Sequence, residues 1–303
     1  MARALQDARD ASETSATLGS LAGEAQRTKV SSFEREPLLA PHVALLRAHF
    51  KGDPKGPFVM QRAGLARGRV ALLISLVNES NPVVVVVDHG EVAWVKERPV
   101  AGILPPVPRL ALSAHPDGGV VLFAFVPSVH LVAARIWNDE GAPFADLEVL
   151  PLDACDALSA AYWPEVGWLV AGARRGGARA QLVRENGTAA WGRGGIEIGA
   201  SWRETAPVSI VIDGSAGTFV VQHASERGKD HVVALRYDTK GHAAWPSPVD
   251  VGEVPRVANP SERLAATLVH EHVARVDLAH GAVARTAAAV EIDDRGELHW
   301  ISR

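Results

Sequence analysis

Short apolar runs alternate with turn-forming residues along most of the chain. Five of these runs are each followed within a few residues by an acid or an amide and then a glycine: Val83–Val87, Leu131–Ile136, Ala180–Val183, Val232–Leu235 and Ala287–Ile292. Runs of this length that are rich in β-branched residues and bounded by turn residues are typical of β-strands. The acid or amide and the glycine predict a tight turn at the end of each strand.

A fixed spacing of glycine and tryptophan follows these turns. Gly90 and Trp94 are four residues apart, and the same spacing recurs at Gly187 and Trp191, at Gly241 and Trp245, and at Gly296 and Trp300. A fifth copy at Gly141 carries Phe144, an aromatic residue placed one position early. Each copy predicts a β-hairpin whose second strand presents a large aromatic side chain on one face. The copies recur about every fifty residues, which is a period typical of repeat architectures.

Two further strands precede the hairpin in each unit. In three units the sequence shows them clearly, as Leu110–Ala114 with Val120–Phe125, Leu158–Trp163 with Trp168–Ala171, and Val208–Ile212 with Thr218–His223. Four antiparallel strands in each repeat, with no convincing helix between them, predict an all-β fold. The most favoured architecture is a β-propeller of five four-stranded blades, because stacked blades bury one another's apolar faces. A flat β-sandwich is the alternative, but it does not explain the repeat period.

The first part of the chain differs from the rest. Residues 1–34 are polar with few apolar side chains, so we expect a disordered, solvated tail. We expect the propeller to occupy residues 35–303. The predicted blades span about 41–100, 105–150, 155–200, 205–252 and 258–303. Either packing alone closes the ring, or the segment Pro41–Phe50 contributes to its closure.

The tail also bears on localisation. It lacks the apolar segment of a secretory signal peptide. A polar spacer before a folded domain favours an exported protein, periplasmic or at the cell surface, whose signal is absent from this chain. A cytoplasmic protein with a polar tail is the alternative.

Composition excludes several classes of protein. The 31 basic and 35 acidic residues give a net charge of −4 at pH 7, so no basic excess argues for nucleic-acid binding. No apolar run approaches the roughly 18–20 residues that a membrane span needs. The single cysteine, Cys155, forms no internal disulfide and no cysteine-based zinc site.

The hairpin motif resembles a known repeat. The pattern Asp-x-x-Gly-x-x-x-Trp, at Asp238–Trp245 and Asp293–Trp300, is similar to the tryptophan-docking motif of the bacterial quinoprotein, or PQQ-like, propeller family. The resemblance covers the five hairpins, about a third of the chain. It implies that four tryptophans wedge between neighbouring blades, namely Trp94, Trp191, Trp245 and Trp300.

This chain also departs from the quinoprotein pattern. The turn is one residue shorter, and the threonine expected before the glycine is replaced by His89, Asn186, Lys240 or Arg295. Five blades are fewer than the eight that hold the quinone in the dehydrogenases. With Cys155 alone, the chain cannot form the vicinal disulfide that those enzymes share. The resemblance therefore implies a non-catalytic relative, and we expect neither PQQ nor another cofactor.

Basic side chains gather in two predicted loops between the second and third strands of a blade. Arg174 and Arg175 lie in this loop of the third blade, and Arg227 and Lys229 lie in that of the fourth. Converging cations at these positions would bind an anionic sugar, a phosphate or an acidic partner. Ordinary charge at a hairpin tip is the alternative.

The connector between the third and fourth blades carries Trp202 and Arg203. An exposed tryptophan beside an arginine would stack on a sugar ring or anchor a protein contact. A tryptophan that covers a blade junction is the alternative.

Two further groups contain residue types that occur at metal sites and at catalytic sites. His270 and His272 would share a strand face and hold a metal if a third ligand came from elsewhere, but a polar turn is the simpler interpretation and we predict no metal site. The carboxylates of Asp153 and Asp156 would suit a glycosidase, although acids are common in loops. We assign no catalytic residue, and we favour a protein that is not an enzyme.

These observations favour a non-catalytic binding or scaffold propeller. We expect it to present an axial face of variable loops to a protein partner. The alternatives are a lectin-like module that binds glycans and a hydrolase or lyase that acts on polysaccharide. Neither nucleic acid nor a membrane is an expected partner.

Overall fold

A computed structural model gives the structure of the protein. It describes residues 28–30, 42–52, 58–76, 82–97, 109–174, 177–198, 208–214, 217–226, 229–254, 265–277 and 289–301. The chain divides into two compact units, one within Ala25–Leu158 and the other containing Ser159–Arg303. We call them the first unit and the second unit.

The first unit contains two antiparallel sheets and a helix. The helix α1 is Val43–Phe50. The first sheet has the strand order β1-β2-β3-β4-β5, with β1 Thr28–Val30, β2 Phe58–Gly64, β3 Val70–Leu76, β4 Val83–Asp88 and β5 Glu91–Glu97. The second sheet has the order β6-β7-β8-β9, with β6 Leu110–Ala114, β7 Val120–Val126, β8 Leu131–Trp137 and β9 Pro143–Pro151.

Three antiparallel sheets follow in sequence order. The third sheet, which begins two residues before the second unit, comprises β10 Ala157–Trp163, β11 Gly167–Arg174, β12 Gly177–Val183 and β13 Ile196–Ile198. The fourth comprises β14 Ser209–Asp213, β15 Gly217–Glu226, β16 Lys229–Tyr237 and β17 Val249–Val254. The fifth comprises β18 Ala265–His270, β19 Val273–Asp277, β20 Ala289–Asp293 and β21 Leu298–Ile301.

The prediction of an all-β fold is confirmed. Each sheet contains four consecutive antiparallel strands, as expected for the blades of a five-bladed β-propeller. In the first sheet the short strand β1 adds a fifth, pairing Thr28 with Met60. These three residues lie within the predicted tail, whose other residues lie outside the described part of the chain. In that described part, no helix is long and apolar enough to cross a membrane.

Burial explains why the inner strands are continuously apolar. Every residue of Val83–Val87 in β4 is buried, because both faces of this strand are covered. The neighbouring strand β5 lies at the edge of its sheet, and its exposed and half-buried positions largely alternate. The sequence pattern of the central strands therefore reflects sheets that are packed on two sides.

The two faces of the first sheet are packed against different elements. On one face, Ala71, Leu73 and Val84 belong to a core cluster that they share with Leu110 and Leu122 of the second sheet. On the other face, helix α1 packs against the sheet through a cluster formed by Val43, Leu46, Leu72, Ile74, Val83, Val85 and Val87. Within the segment that the sequence left open as part of ring closure, Val43–Phe50 is thus a helix that covers one face of the first sheet.

The second unit has a comparable core between its last two sheets. Phe219, Val221 and Val251 of the fourth sheet are fully buried against Val276 and Ile292 of the fifth. Every strand of the two sheets except β21 contributes a buried residue to this cluster, and Trp245 also belongs to it. The fourth and fifth sheets therefore bury apolar side chains against each other.

Two hairpins differ from the prediction. Trp191 and Trp245 were expected on the second strand of their hairpins, but both lie in irregular segments that precede β13 and β17. Each hairpin has one isolated β-bridge, which pairs Val183 with Ala189 in the first case and Tyr237 with Ala243 in the second. The tryptophan follows two residues later and is not part of the ladder. Glycines follow Trp191 and prolines follow Trp245, and these residues are poorly suited to a regular strand.

Helix α1 offers a matched test of its packing. We expect Leu46→Ala to lower the free energy of unfolding by about 2–5 kcal/mol, because this side chain is buried against the first sheet. Leu45→Ala changes the same residue type at the adjacent, exposed position and is expected to cost less than about 1 kcal/mol. Urea denaturation of both variants measures the difference, and equal losses would contradict the packing of α1.

Candidate functional site

Three of the motif tryptophans contact the turn of the following sheet in the same way. The indole Nε1–H of Trp94 donates to the carbonyl oxygen of Asp139 at 3.0 Å. Trp191 donates to Thr239 at 3.0 Å, and Trp245 donates to Asp294 at 2.8 Å. In each case the acceptor lies two residues before the motif glycine of the next hairpin. The contact satisfies the buried indole N–H and joins adjacent sheets.

The motif glycines make room for these rings. A Cβ atom on Gly141 would lie 2.8 Å from the ring of Trp94, and one on Gly241 would lie 3.1 Å from that of Trp191. Both glycines also have positive φ angles, 79° and 82°. Glycine is therefore required twice at these positions, by the backbone conformation and by the approaching indole.

The acids of the motif turns are used as internal acceptors. Asp238 Oδ1 accepts the backbone N–H groups of Lys240 and His242, both at 2.8 Å. Asp293 Oδ1 accepts those of Arg295 and Glu297 at 3.0 and 2.8 Å. Burial raises the pKa of Asp238, but the two N–H groups outweigh this effect and hold the pKa below its ordinary value.

Trp300 departs from the pattern of the other motif tryptophans. It lies in a regular ladder opposite Val290 of β20, and its ring lies over Gly252 of the preceding sheet. The residue is 56% exposed, compared with 8% for both Trp191 and Trp245. In the Gly141 copy, Phe144 is also exposed and touches the ring of His115 edge-on.

A second set of contacts joins the sheets of the second unit at the end of their first strands. Trp163, the last residue of β10, donates its indole N–H to the carbonyl oxygen of Gly214 at 2.6 Å. The corresponding residue of the fourth sheet is Asp213, which ends β14 and contacts the turn between β18 and β19. One junction is thus closed by a neutral hydrogen bond and the next by a charged group.

Asp213, Arg236 and His272 form a cluster between the fourth and fifth sheets, which we call the clasp. Asp213 Oδ1 accepts the backbone N–H of His272 at 2.8 Å. Asp213 Oδ2 lies 3.0 Å from His272 Nδ1 and accepts a hydrogen bond from Arg236 Nη2 at 2.7 Å. The Asp213 side chain is 0% exposed, whereas that of His272 is 46% exposed. The buried carboxylate therefore has a hydrogen-bonding partner in each of the two sheets.

The pKa values of the clasp follow from this geometry. Burial raises the pKa of Asp213, but the hydrogen bonds from Arg236 and His272 prevail and hold it below its ordinary value. The hydrogen bond to Asp213, and then its negative charge, raise the pKa of His272 above its ordinary value. Both shifts favour the ionised carboxylate beside the protonated imidazole.

The clasp uses one of the two histidines that the sequence singled out for a metal. His272 directs Nδ1 at Asp213 of the neighbouring sheet, while His270 Nδ1 lies 3.2 Å from the carbonyl oxygen of Glu271 in its own turn. His272 has a φ of 67°, which is uncommon for a residue other than glycine. The left-handed backbone places both its N–H and its ring against Asp213. No sequence pattern pointed to Asp213 or Arg236 as its partners.

The predicted binding residues are only partly within the described chain. Arg174 ends β11 and pairs with Gly177 across the hairpin tip of the third sheet. The backbone of Lys229 pairs with Glu226 at the corresponding tip of the fourth sheet. The other four residues predicted to bind a partner lie outside the described residues: Arg175, Trp202, Arg203 and Arg227.

The residues considered for glycosidase chemistry lie in the segment of the chain that follows β9 and precedes β10. Asp156 is exposed and lies 3.9 Å from Arg109. The backbone carbonyl of Asp153 lies 3.0 Å from His130 Nδ1. Cys155 is buried between them, with Sγ 3.2 Å from the carbonyl oxygen of Ala157. These contacts tie the segment to neighbouring residues.

One further group was not found from the sequence. Asp293, Glu297 and His299 bring ligand-type atoms within 4.8 Å of one another on the last hairpin. Glu297 and His299 are exposed, and Asp293 already caps the turn through Oδ1. The sequence does carry one signal for this group, because Glu297 follows its motif glycine where His242 follows the motif glycine of the preceding hairpin.

Comparison with known proteins adds weak structural likenesses. No protein-family model matches the chain, and no curated protein matches it. A protein of unknown function from Bacteroides caccae is similar in structure, with a TM-score of 0.45, 11% identity, and coverage of 80% of this chain and 82% of that one. Puromycin hydrolase has a TM-score of 0.38 and 14% identity over 77% of this chain, which spans only 35% of that protein.

The docking of Trp94 is testable with two glycines of the same unit. Gly90 and Gly141 both have positive φ angles, but a Cβ on Gly90 would meet nothing within 4 Å. We expect Gly90→Ala to cost about 1–2 kcal/mol of stability from the backbone alone. Gly141→Ala is expected to cost about 1–3 kcal/mol more, because the methyl group overlaps the indole. Thermal or urea unfolding measures both.

A variant that lacks the Trp94 ring separates backbone strain at Gly141 from steric overlap with the indole. In a Trp94→Ala background, Gly141→Ala is expected to cost no more than Gly90→Ala, because the indole is gone. A persistent excess cost in that background would show that Gly141 is constrained by something other than Trp94.

The clasp is testable against an exposed ion pair. Asp213→Asn leaves the largely buried Arg236 guanidinium without its charged partner, so we expect a loss of about 3–5 kcal/mol near pH 6. Asp146→Asn breaks an exposed pair in which both Asp146 oxygens lie 2.7 Å from Arg135, and we expect a loss of about 0–1 kcal/mol. Denaturant unfolding distinguishes them, and similar losses would mean that the clasp adds little to the junction.

Proposed function

We propose that this chain is a non-catalytic binding protein that presents the hairpins joining the second and third strands of its sheets to a protein partner. The observation that carries the proposal is the use of the acids at the opposite ends of the strands. Among the described residues, Asp213 is bonded in the clasp, and Asp238 and Asp293 are bonded in turn caps. By contrast, Val129 on the second-to-third hairpin of the second sheet is exposed.

The internal use of the turn acids disfavours hydrolysis by them. A glycosidase needs two carboxyl groups that face a substrate, one of them protonated and the other ionised. Asp213 is fully buried and accepts three hydrogen bonds, so it is closed to substrate. Asp238 and Asp293 each cap a turn with Oδ1. These residues therefore support the folded sheets and leave recognition to other side chains.

The second-to-third hairpin of the second sheet is built as a fixed platform. Its tip is a 3-10 turn, Pro127–Val129, followed by His130 with a φ of 52°. The N–H of Leu152 donates to the His130 carbonyl oxygen at 2.9 Å. Val129 is 62% exposed on this tip. An apolar side chain on an ordered tip loses little conformational entropy when a partner covers it.

The corresponding hairpins of the third and fourth sheets supply charge. Arg174 and Lys229 lie at the two tips, and both residues are basic although the chain has a net charge of −4. An acidic surface on the partner would complement them and would accelerate its association. These two tips favour a protein partner that offers carboxylates.

We also infer that the hairpins are divergent members of the PQQ-like repeat class that their motif resembles. The support is the repeated contact in which an indole donates to the turn of the next sheet, as in Trp94, Trp191 and Trp245. In this interpretation the repeat serves architecture alone, and the chain has kept the docking residue without the quinone.

The experiment compares two double variants of equal charge change. Arg174→Ala with Lys229→Ala alters the second-to-third tips, and Arg184→Ala with Lys240→Ala removes two exposed cations from the opposite ends of the same sheets. A partner captured by the wild type from its source proteome is identified and its affinity for each purified variant is measured. We expect at least a tenfold loss with the tip variant, about 1.4 kcal/mol, and no loss with the control.

A glycan array and a polysaccharide digestion assay accompany the binding measurement. Binding of a sugar that is lost in the tip variant would replace the protein partner with a glycan. Turnover of a polysaccharide by the wild type would overturn the non-catalytic proposal. Equal affinity of both double variants for the partner would place the interface elsewhere on the protein.

A further inference from the structure

The two junctions of the second unit differ in chemistry at equivalent positions. Trp163 closes the junction between the third and fourth sheets with a neutral N–H group. Asp213 closes the junction between the fourth and fifth sheets through His272. Both junctions also contain a tryptophan docked on a turn, Trp191 in one and Trp245 in the other. At the end of the first strand, one junction is therefore closed by a titratable contact and the other by a neutral one.

The charged groups that face His272 come from three elements. Asp213 ends β14, Arg236 lies in β16, and Asp294 lies in the turn between β20 and β21. The two carboxylates favour a positive charge on the imidazole, and the guanidinium opposes it. On its own turn His272 is preceded by His270 and Glu271, both exposed. The nearest group is Asp213, which bonds both the ring and the backbone of His272.

We propose that the clasp is a proton-controlled joint, in which protonation of His272 tightens the docking of the fifth sheet on the fourth. The fully buried Asp213 carboxylate is then neutralised from both sides, by Arg236 in its own sheet and by the imidazolium of the next. Removal of the proton leaves Arg236 as the charged partner of Asp213 in the clasp. The fifth sheet keeps a neutral hydrogen bond and loses the ionic one.

The geometry allows the proton to be exchanged without opening the junction. Nδ1 of His272 is held at Asp213, so Nε2 is the nitrogen that gains or loses the proton. The side chain is 46% exposed, and solvent reaches the ring while Asp213 stays buried. The neutral imidazole then keeps its hydrogen on Nδ1 and still donates to the carboxylate.

The sign of the pH dependence follows from the direction of each shift. The pKa of His272 is raised above its ordinary value of 6.5, so its contribution is complete below 6.5 and is lost as the pH rises through the raised pKa. The pKa of Asp213 is lowered below 3.8, so its contribution is complete above 3.8 and is lost as the pH falls through the lowered pKa. The clasp is tightest between these two limits.

Hydrogen exchange resolved by segment tests the proposal. Protection of β18 and β19 is compared with that of β10 and β11 from pH 5 to pH 9, after correction for the intrinsic exchange rate. In the wild type we expect protection of β18 and β19 to fall above pH 6.5 relative to β10 and β11. The fall is limited to about tenfold for each unit by which the pKa of His272 is raised.

Two histidine variants provide the matched comparison. His272→Asn keeps a residue that tolerates a positive φ and supplies a neutral amide donor, so we expect the differential fall to disappear. His242→Asn removes an exposed histidine that lies 3.3 Å from Asp238 in a turn of the fourth sheet, so we expect the wild-type fall to remain. A fall of wild-type size in His272→Asn would overturn the proposal.

Direct titration provides a measurement that does not depend on folding stability. In the NMR spectrum of the full chain, the ring of His272 is expected to titrate above 6.5, and Asp213→Asn is expected to lower its pKa. A His272 pKa at or below 6.5 in the folded wild type would overturn the proposal. So would equal pH dependence of protection in the two pairs of strands.

Discussion

The contact between an indole N–H and the turn of the next sheet is the interaction on which this architecture depends. A four-stranded sheet of short strands has two apolar faces and cannot bury either by itself. Trp94, Trp191 and Trp245 each carry a large ring to the neighbouring sheet, and the carbonyl of its turn satisfies the ring's N–H. The turn must bring a backbone carbonyl and a glycine to the same place, which explains why the acid, the glycine and the tryptophan recur together.

Much of the fold was predictable because this chemistry is local. An acid caps a turn two to four residues away, and a glycine supplies a positive φ, so both leave a signal in a short window of sequence. Helix α1 was missed because Val43–Phe50 is only eight residues long and has no acid in its first turn. The exposure of Trp300 was also not predictable, since its spacing from the motif glycine is the same as that of the buried Trp245. What differs is the ladder, which runs regularly from Leu298 to Ile301 and turns Trp300 toward the preceding sheet.

The clasp shows the other limit of sequence reasoning. His270 and His272 attracted attention as a possible metal pair because their spacing is local, yet the partner of His272 lies 59 residues away. Asp213 gives no signal beyond its position at the end of an apolar run. The role of Arg236 depends on the strand pairing that places it beside Phe219 and within reach of Asp213. Only the stacking of two sheets defines this group of three residues.

The distribution of polar groups separates support from recognition. An acid that accepts hydrogen bonds from a turn, as Asp238 does, has a lowered pKa and less freedom to bind a ligand. The same holds more strongly for Asp213, which is buried and accepts three hydrogen bonds. Charged groups that are bonded between sheets make the scaffold rigid. A rigid scaffold allows an exposed tip such as that of Val129 to bind a partner with a small loss of conformational entropy. The clasp is then the place where a change of pH can alter that rigidity. The half-exposed imidazole of His272 exchanges its proton with solvent, and its charge acts on the Asp213 carboxylate, which solvent does not reach.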